Sequence, residues 1–178
     1  MVNILLANGF EEVEALAPCD MLRRAEINVN LVSTEADIFV TGNHGICVKC
    51  DKMLAEVSES EMIVLPGGLP GVPNLMANKK VMELVANQIK AGKRVGAICA
   101  APWILGELGI TEGRIATCYP GFEDKLKCAA VSDEKAVTDG LITTSKAAGT
   151  AMDFAFEIIK VLKGSEVAEK VKNSVYYG

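Results

Sequence analysis

Short apolar segments alternate with amphipathic segments along most of this chain, and this alternation restricts the fold more than any other feature. Each apolar segment is only a few residues long, which is typical of strands that are buried on both faces. Strands that alternate with helices form a mostly parallel sheet, so we predict an α/β domain with helices on both faces. The main predicted strands are residues 2–7, 28–33, 62–65, 94–98 and 141–145.

The intervening segments show the periodicity of helices. Pro18 lies inside the first of them, which predicts a bend or a late start there. Thr150 precedes Asp153 by three residues, a spacing that predicts a capping box at the last long helix. Gly42 to Gly45 separate two strand-like runs, which predicts a hairpin of residues 38–41 and 46–50. The predicted helices are residues 11–26, 75–91, 101–108, 150–163 and 166–173, and residues 114–117 and 136–138 are short predicted strands.

The chain is long enough for one domain, which we assign to residues 1–178. A net charge of −5 argues against a nucleic-acid partner. The first predicted strand begins directly after Met1, without a basic leader, so we expect a cytoplasmic protein. No apolar stretch has the length needed to cross a bilayer, so no membrane association is expected.

Six cysteines are present, and in a cytoplasmic protein we expect them to be free thiols. Cys47 and Cys50 form a C-x-x-C pattern on a predicted strand. That spacing sends the two side chains to opposite faces of the strand, and no second ligand pair follows downstream. We therefore predict no zinc site, and no metal elsewhere.

Cys99 is the strongest candidate for a catalytic residue. It stands between a buried strand and a helix, and small residues surround it in the segment Gly-Ala-Ile-Cys-Ala-Ala-Pro. A sharp strand–nucleophile–helix turn needs such neighbours. The N-terminus of the helix favours a thiolate, so we expect Cys99 to be largely ionised at neutral pH. A buried structural cysteine is the alternative.

Two further groups are expected near Cys99, because ligands bind beyond the carboxyl ends of parallel strands. Gly67 and Gly68 follow one strand, where they are either an ordinary turn or a source of backbone N–H groups. Glu14 lies on the helical face of Met21 and Leu22 and so either points inward or is a helix-start charge. A carboxyl buried beside a thiol would have a raised pKa and could move a proton.

Several segments, in this order and spacing, resemble the ThiJ/PfpI superfamily and most of all its parkinsonism-associated deglycase branch. The resemblance implies one ThiJ/PfpI domain, related to class I glutamine amidotransferases, with a flavodoxin-like three-layer α/β/α sandwich and a nucleophile elbow. It implies a homodimer, Cys99 as nucleophile, Glu14 as its protonated partner, and backbone oxyanion donors at Gly67, Gly68 and Ala100. The segments are FEEVE at 10–14, MLRRA at 21–25, VLPGG at 64–68, AICAAP at 97–102, DGLITTS at 139–145 and GT at 149–150.

The chain departs from the family pattern at four positions. Ala100 replaces the histidine that follows the cysteine in related proteases, which argues against a Cys-His protease. Tyr119 stands before Pro120 where a histidine is common, and Ala101 stands where glycine is usual. His44, the single histidine, occupies the place of an arginine that reaches the partner's active site; an ordinary turn residue is the alternative.

The resemblance implies an enzyme that acts on reactive dicarbonyls such as methylglyoxal, or on their adducts, without a cofactor. Cys99 would form a hemithioacetal and Glu14 would move the proton. The alternative is a redox sensor or redox-linked chaperone that works through oxidation of Cys99. We expect Tyr119 and Pro120 to line the pocket. Cys118, one residue before Tyr119, is either a spectator thiol or a partner for a disulfide with Cys99.

Overall fold

The computed structural model describes residues 1–58 and 60–178. The helices are α1 (Glu12–Arg24), α2 (Gly71–Ala77), α3 (Lys79–Lys90), α4 (Pro102–Glu107), α5 (Glu123–Leu126), α6 (Ala151–Lys163) and α7 (Ser165–Ser174). The strands are β1 (Val2–Leu6), β2 (Val29–Ser33), β3 (Phe39–Thr41), β4 (Cys47–Lys49), β5 (Lys52–Met53), β6 (Met62–Leu65), β7 (Arg94–Ile98), β8 (Ile115–Ala116), β9 (Ala130–Val131), β10 (Ala136–Asp139) and β11 (Ile142–Ser145).

The central sheet has seven strands in the order β10-β11-β7-β6-β1-β2-β5. All neighbouring strands are parallel except the antiparallel pair β10 and β11. Its five central strands therefore follow the order 2-1-3-4-5 in chain sequence, which is the flavodoxin-like order. This confirms the predicted fold class.

Two apolar layers cover the sheet, because successive side chains of a strand point to opposite faces. On β1, Val2, Ile4 and Leu6 pack with α1, α6 and α7. Leu5 faces the other way, toward the layer that holds α2 to α5. The result is the expected three-layer α/β/α sandwich.

The helix predicted at residues 75–91 is wrong, because two helices occupy this region. Asn78 separates α2 from α3 with an extended backbone (φ −84°, ψ 102°). Its side chain accepts a hydrogen bond from the N–H of Lys80 at 3.1 Å and so caps α3. Asparagine is among the best residues for that position, so a local capping preference overrode the continuous helical pattern.

Two details at helix starts also differ from the predictions. Helix α1 begins at Glu12 and runs through Pro18, so the late start is wrong. Thr150 precedes α6 but makes no side-chain cap. Its Oγ1 lies 2.8 Å from Ser145 Oγ and accepts the N–H of Ala147 at 3.0 Å, so the hydroxyl holds the preceding loop instead.

The hairpin is confirmed as the antiparallel pair β3 and β4. A second small sheet consists of the parallel pair β8 and β9. Strand β8 lies within the predicted strand 114–117, whereas β9 was not predicted. Cys47 is exposed and Cys50 is buried, as their spacing required. Among the helices of the described residues, none is both long and apolar enough for a membrane span.

Candidate active site

Cys99 occupies the sharp turn between β7 and α4 with a left-handed backbone (φ +64°). That conformation costs a residue with a side chain roughly 1–3 kcal/mol and persists only where the surroundings hold it. Here two hydrogen bonds do so: the Cys99 N–H donates to Ser145 O at 3.0 Å, and Tyr119 N–H donates to Cys99 O at 2.8 Å. The nucleophile elbow predicted from the sequence is therefore present.

Three chain segments meet at the Cys99 side chain, from the carboxyl ends of the adjacent strands β1, β6 and β7. Gly67 lies between the Glu14 carboxyl and the Cys99 side chain. A Cβ atom placed on Gly67 would lie 2.5 Å from Glu14 Oε2 and 2.6 Å from Cys99 Cβ. No side chain fits there. The absence of a side chain at Gly67 is what allows the carboxyl and the thiol to touch.

Glu14 is almost fully buried, with 1% of its surface exposed. Its carboxyl is hydrogen-bonded to the Cys99 sulfur and accepts the N–H of Ala148, and its Oε2 accepts the N–H of Gly67 at 2.9 Å. Burial, with the nearby charge of Glu11 as a second cause, raises the pKa of Glu14 from 4.5 to about 7. Glu14 therefore points inward and holds a proton near neutral pH.

The hydrogen bond from the Gly67 N–H to Glu14 corrects the prediction that Gly67 is an oxyanion donor. The N–H of Gly67 is already used by the carboxyl and does not face the sulfur. The N–H groups of Gly68 and Ala100 are directed at the Cys99 sulfur instead. Two of the three predicted oxyanion donors thus stand where negative charge would develop, and the third positions Glu14.

The expected low pKa of Cys99 is also corrected. Burial raises the pKa of its thiol to about 12, with the charge of Glu14 and the hydrogen bond to it as further causes. Burial, together with the negative charge that Glu14 carries when it is ionised, outweighs the effect of the helix N-terminus on the thiol pKa. The two groups therefore share one proton above pH 7: when the proton moves to Glu14, the carboxyl becomes a donor to a thiolate.

Glu11 is a residue at the candidate site that the sequence pattern did not reveal. Its Oε2 accepts the N–H of Glu14 at 2.7 Å and so caps α1, and its own N–H donates to Gly67 O at 2.9 Å. Glu11 therefore ties the glutamate to the loop after β6, and its charge contributes to the raised pKa of Glu14. The sequence signal that could have identified it is the position of Glu11, three residues before Glu14, which is the spacing of a helix N-cap.

Glu12, in the first turn of α1, is buried. Its carboxyl accepts the N–H of His44 at 2.7 Å and contacts His44 Nδ1 at 2.8 Å. The pair fastens the hairpin to the start of α1, and Glu12 raises the pKa of His44. His44 is thus a paired turn residue in its own chain.

Among the described residues, Glu11, Glu12 and His44 form the group of three with possible metal-ligand atoms close together, within 4.8 Å of one another. One oxygen of Glu11 caps α1, and both oxygens of Glu12 accept hydrogen bonds from the hairpin. Both carboxylates of this group therefore already have hydrogen-bond partners within the protein.

The loop after β8 carries the remaining candidate residues. Tyr119 and Pro120 are exposed beside the elbow, to which Tyr119 is bonded through its backbone. Cys118 is buried in the apolar layer of α2 to α5, and burial raises the pKa of its thiol to about 11. This environment favours the spectator role, and a disulfide with Cys99 stays a prediction.

The raised pKa of Glu14 has a consequence for stability. Between about pH 4.5 and 7 the folded protein keeps a proton that the unfolded chain releases, so the free energy of unfolding falls by roughly 3 kcal/mol across this range. Gln cannot ionise, so we expect Glu14→Gln to gain that amount relative to wild type between pH 4 and pH 8. Urea unfolding at both pH values measures it. An equal difference at the two pH values would mean that Glu14 titrates as an exposed acid.

Comparison with known proteins identifies the family of this chain. The family model described as "DJ-1/PfpI family" matches residues 1–161. The chain is 38% identical to Protein DJ-1 homolog A of Arabidopsis thaliana over 97% of its own length but only 45% of that protein's. It is 34% identical to a deglycase of Pyrococcus abyssi, over 91% of this chain and 99% of that one.

A solved structure supports the same assignment. The oxidized DJ-1 of Toxoplasma gondii superposes with a TM-score of 0.96 at 31% identity, covering 99% of this chain and 98% of that chain. The chain thus spans less than half of the plant relative but nearly all of the archaeal one and of the solved structure. With the elbow, the inward glutamate and a family match over most of its residues, this chain belongs to the DJ-1/PfpI family.

Proposed function

We propose that this protein is a cysteine-dependent enzyme of the glyoxalase or deglycase type, acting on reactive dicarbonyls such as methylglyoxal or on their adducts. The observation that carries the proposal is the Cys99–Glu14 pair, a thiol and a buried carboxyl in direct hydrogen bond that share one proton. The deglycase among its relatives supports the same class of chemistry.

The first step is addition of Cys99 to the aldehyde carbon. A bond forms between sulfur and carbon, and the electron pair of the C=O bond moves to the oxygen. The N–H groups of Gly68 and Ala100, now directed at the sulfur, are placed to stabilise that oxyanion. Glu14 supplies the proton that converts it into a hemithioacetal.

The second step moves hydrogen between adjacent carbons. The Glu14 carboxylate takes the proton from the former aldehyde carbon, giving an enediolate, and returns it to the neighbouring carbon, while the hydroxyl proton of the hemithioacetal passes to the neighbouring oxygen. The sulfur-bearing carbon becomes a thioester. Water then hydrolyses the thioester, releasing a 2-hydroxy acid and restoring the Cys99 thiol. Adducts that release the free aldehyde enter the same sequence, and no metal or organic cofactor takes part.

A redox role is the second candidate, and the same donors favour it. Oxidation of Cys99 to the sulfinate would place new oxygens beside the N–H groups of Gly68 and Ala100 and beside protonated Glu14. Sensing consumes a fixed amount of oxidant per chain, two equivalents for the sulfinate, whereas an enzyme turns over many substrate molecules. A Cys-His protease is not supported, because the single histidine is paired with Glu12.

The proposed assembly is a homodimer. Phe39 and Ile46 of the β3–β4 hairpin expose 51% and 53% of their surfaces, an apolar feature that a second copy would cover. The proposed chemistry does not depend on it, since Cys99, Glu14 and the N–H donors all belong to one chain.

The pH dependence of kcat/KM tests the proposed mechanism. We expect activity to rise with pH through about 7, the pKa of Glu14 in the pair, and then to level off, because the one-proton pair supplies the thiolate. Glu14→Gln should remove this inflection, and His44→Asn should keep it. An inflection that survives in Glu14→Gln and disappears in His44→Asn would assign the ionisation to the imidazole and contradict the mechanism.

A further inference from the structure

Two large apolar side chains are exposed on the loops that contact Cys99. Leu69 has 50% of its surface exposed and directly follows Gly68, whose N–H is directed at the Cys99 sulfur. Tyr119 has 46% exposed, and its N–H donates to Cys99 O at 2.8 Å. Both residues are therefore held next to the nucleophile by backbone contacts, on separate loops.

Tyr119 begins a row of three aromatic rings. Its ring centre lies 6.5 Å from that of Phe122, in an edge-to-face arrangement, and Phe122 lies 6.3 Å from Trp103. Trp103 belongs to the first turn of α4, the helix that follows Cys99. We call Tyr119, Phe122 and Trp103 the aromatic ledge.

Charged groups contact the far end of the ledge. Lys125 Nζ lies 5.2 Å from the centre of the Trp103 ring, and Trp103 Nε1 donates to Glu107 at 3.3 Å. The ring face and the Nε1–H of Trp103 are therefore both engaged by residues of the protein. Tyr119 is the member that combines high exposure with a backbone bond to the nucleophile, so it is the ring available to a ligand.

We propose that Leu69 and the aromatic ledge form a subsite for the substituent of the carbonyl substrate, which favours α-oxoaldehydes with an aryl or extended apolar group over methylglyoxal. The inference rests on the proposed function and specifies its substrate class. A substrate carbonyl at Cys99 places its substituent beside these side chains, where an aromatic ring gains contacts that a methyl group cannot make.

Exposed apolar residues can instead contact a second protein copy. The subsite is favoured because both residues adjoin the nucleophile, whereas Phe39 and Ile46 of the hairpin supply an apolar surface of their own. Light scattering of each variant separates the two roles. A Tyr119→Ala protein that loses its partner while keeping its substrate preference would assign Tyr119 to an interface and overturn the subsite.

The test compares phenylglyoxal with methylglyoxal as substrates. The ratio of their kcat/KM values is measured within each enzyme, so any general loss of activity cancels. We expect this ratio to fall by roughly fivefold in Tyr119→Ala, the scale of one lost aromatic contact, and to persist in Tyr119→Phe. Tyr176→Ala is the matched control, since Tyr176 is 98% exposed near the C-terminus. An unchanged ratio in Tyr119→Ala would overturn the subsite.

A binding measurement keeps the inference separate from the proposed function. Mandelate and lactate are the products expected from phenylglyoxal and methylglyoxal, and fluorescence of Trp103, the only tryptophan, reports their binding. We expect wild type to bind mandelate more tightly than lactate and Tyr119→Ala to lose that difference. If neither aldehyde is turned over, the proposed function fails while this titration still decides the subsite. Equal binding of both acids by wild type would overturn it.

Discussion

Replacing Glu14 with Gln should lower kcat for methylglyoxal by roughly 10²-fold or more, the usual scale for loss of a general acid–base catalyst. Gln keeps the size of the side chain and can still bond to Gly67 and to the sulfur, so the fold should persist. It cannot carry the proton that the pair shares, nor take one from the substrate carbon. Steady-state rates of hydroxy-acid formation measure the loss.

Glu12→Gln is the matched control for that variant. Glu12 is also a buried acid in the first turn of α1, but its contacts are to the hairpin and not to Cys99. We expect its kcat to stay close to that of wild type. If Glu14→Gln kept wild-type turnover, Glu14 would be only a buried helix-start charge, and another group would have to move the proton.

Replacing Gly67 with Ala should also lower kcat/KM by roughly 10²-fold, because misplacing reacting groups by about 1 Å has effects of this size. The new methyl group would lie 2.5 Å from Glu14 Oε2 and 3.1 Å from the Cys99 sulfur. One of the two must move, and their hydrogen bond is lost. The inflection in the pH profile at about 7 should shift as well, since the two groups no longer share a proton.

Gly149→Ala is the control for the glycine substitution. Gly149 lies in the loop whose Ala148 N–H reaches Glu14, yet a Cβ on it meets nothing within 4 Å. Its activity should match wild type, and thermal unfolding of both variants shows whether the fold survives. Wild-type activity in a folded Gly67→Ala protein would show that contact between carboxyl and thiol is not required.

Much of this fold could be predicted from patterns that are local in the sequence. Buried strands that alternate with helices specify the layers, and the small residues around Cys99 specify the elbow. The break at Asn78 was missed because a continuous apolar period hides a cap inside it, although asparagine is a strong capping residue. Strand β8 was predicted within residues 114–117, but its partner β9 could not be foreseen, since a two-residue strand carries no period.

In the candidate site, too, features set by the local sequence could be predicted and those set by distant contacts could not. Cys99 is recognisable from its local context, whereas the pattern around Glu14 left two interpretations open and only the family resemblance favoured the inward one. The burial of Glu12 depends on a hairpin more than thirty residues away in the chain, and the use of the Gly67 N–H depends on Glu14, 53 residues away. The protonation state of Cys99 was also predicted wrongly, because a helix N-terminus lowers the pKa of a thiol while burial, and after it the carboxyl packed against the sulfur, raise the pKa more.

The central claim is that Cys99 turns over a dicarbonyl, and counting product molecules per chain tests it most directly. Wild type, Cys99→Ala and Cys47→Ala would each be incubated with a large excess of methylglyoxal, and lactate would be quantified. Cys47 is an exposed thiol outside the site and serves as the control. We predict many lactate molecules per chain for wild type and Cys47→Ala and none above the uncatalysed background for Cys99→Ala. Equal lactate formation by wild type and Cys99→Ala, or no turnover by wild type, would contradict the account.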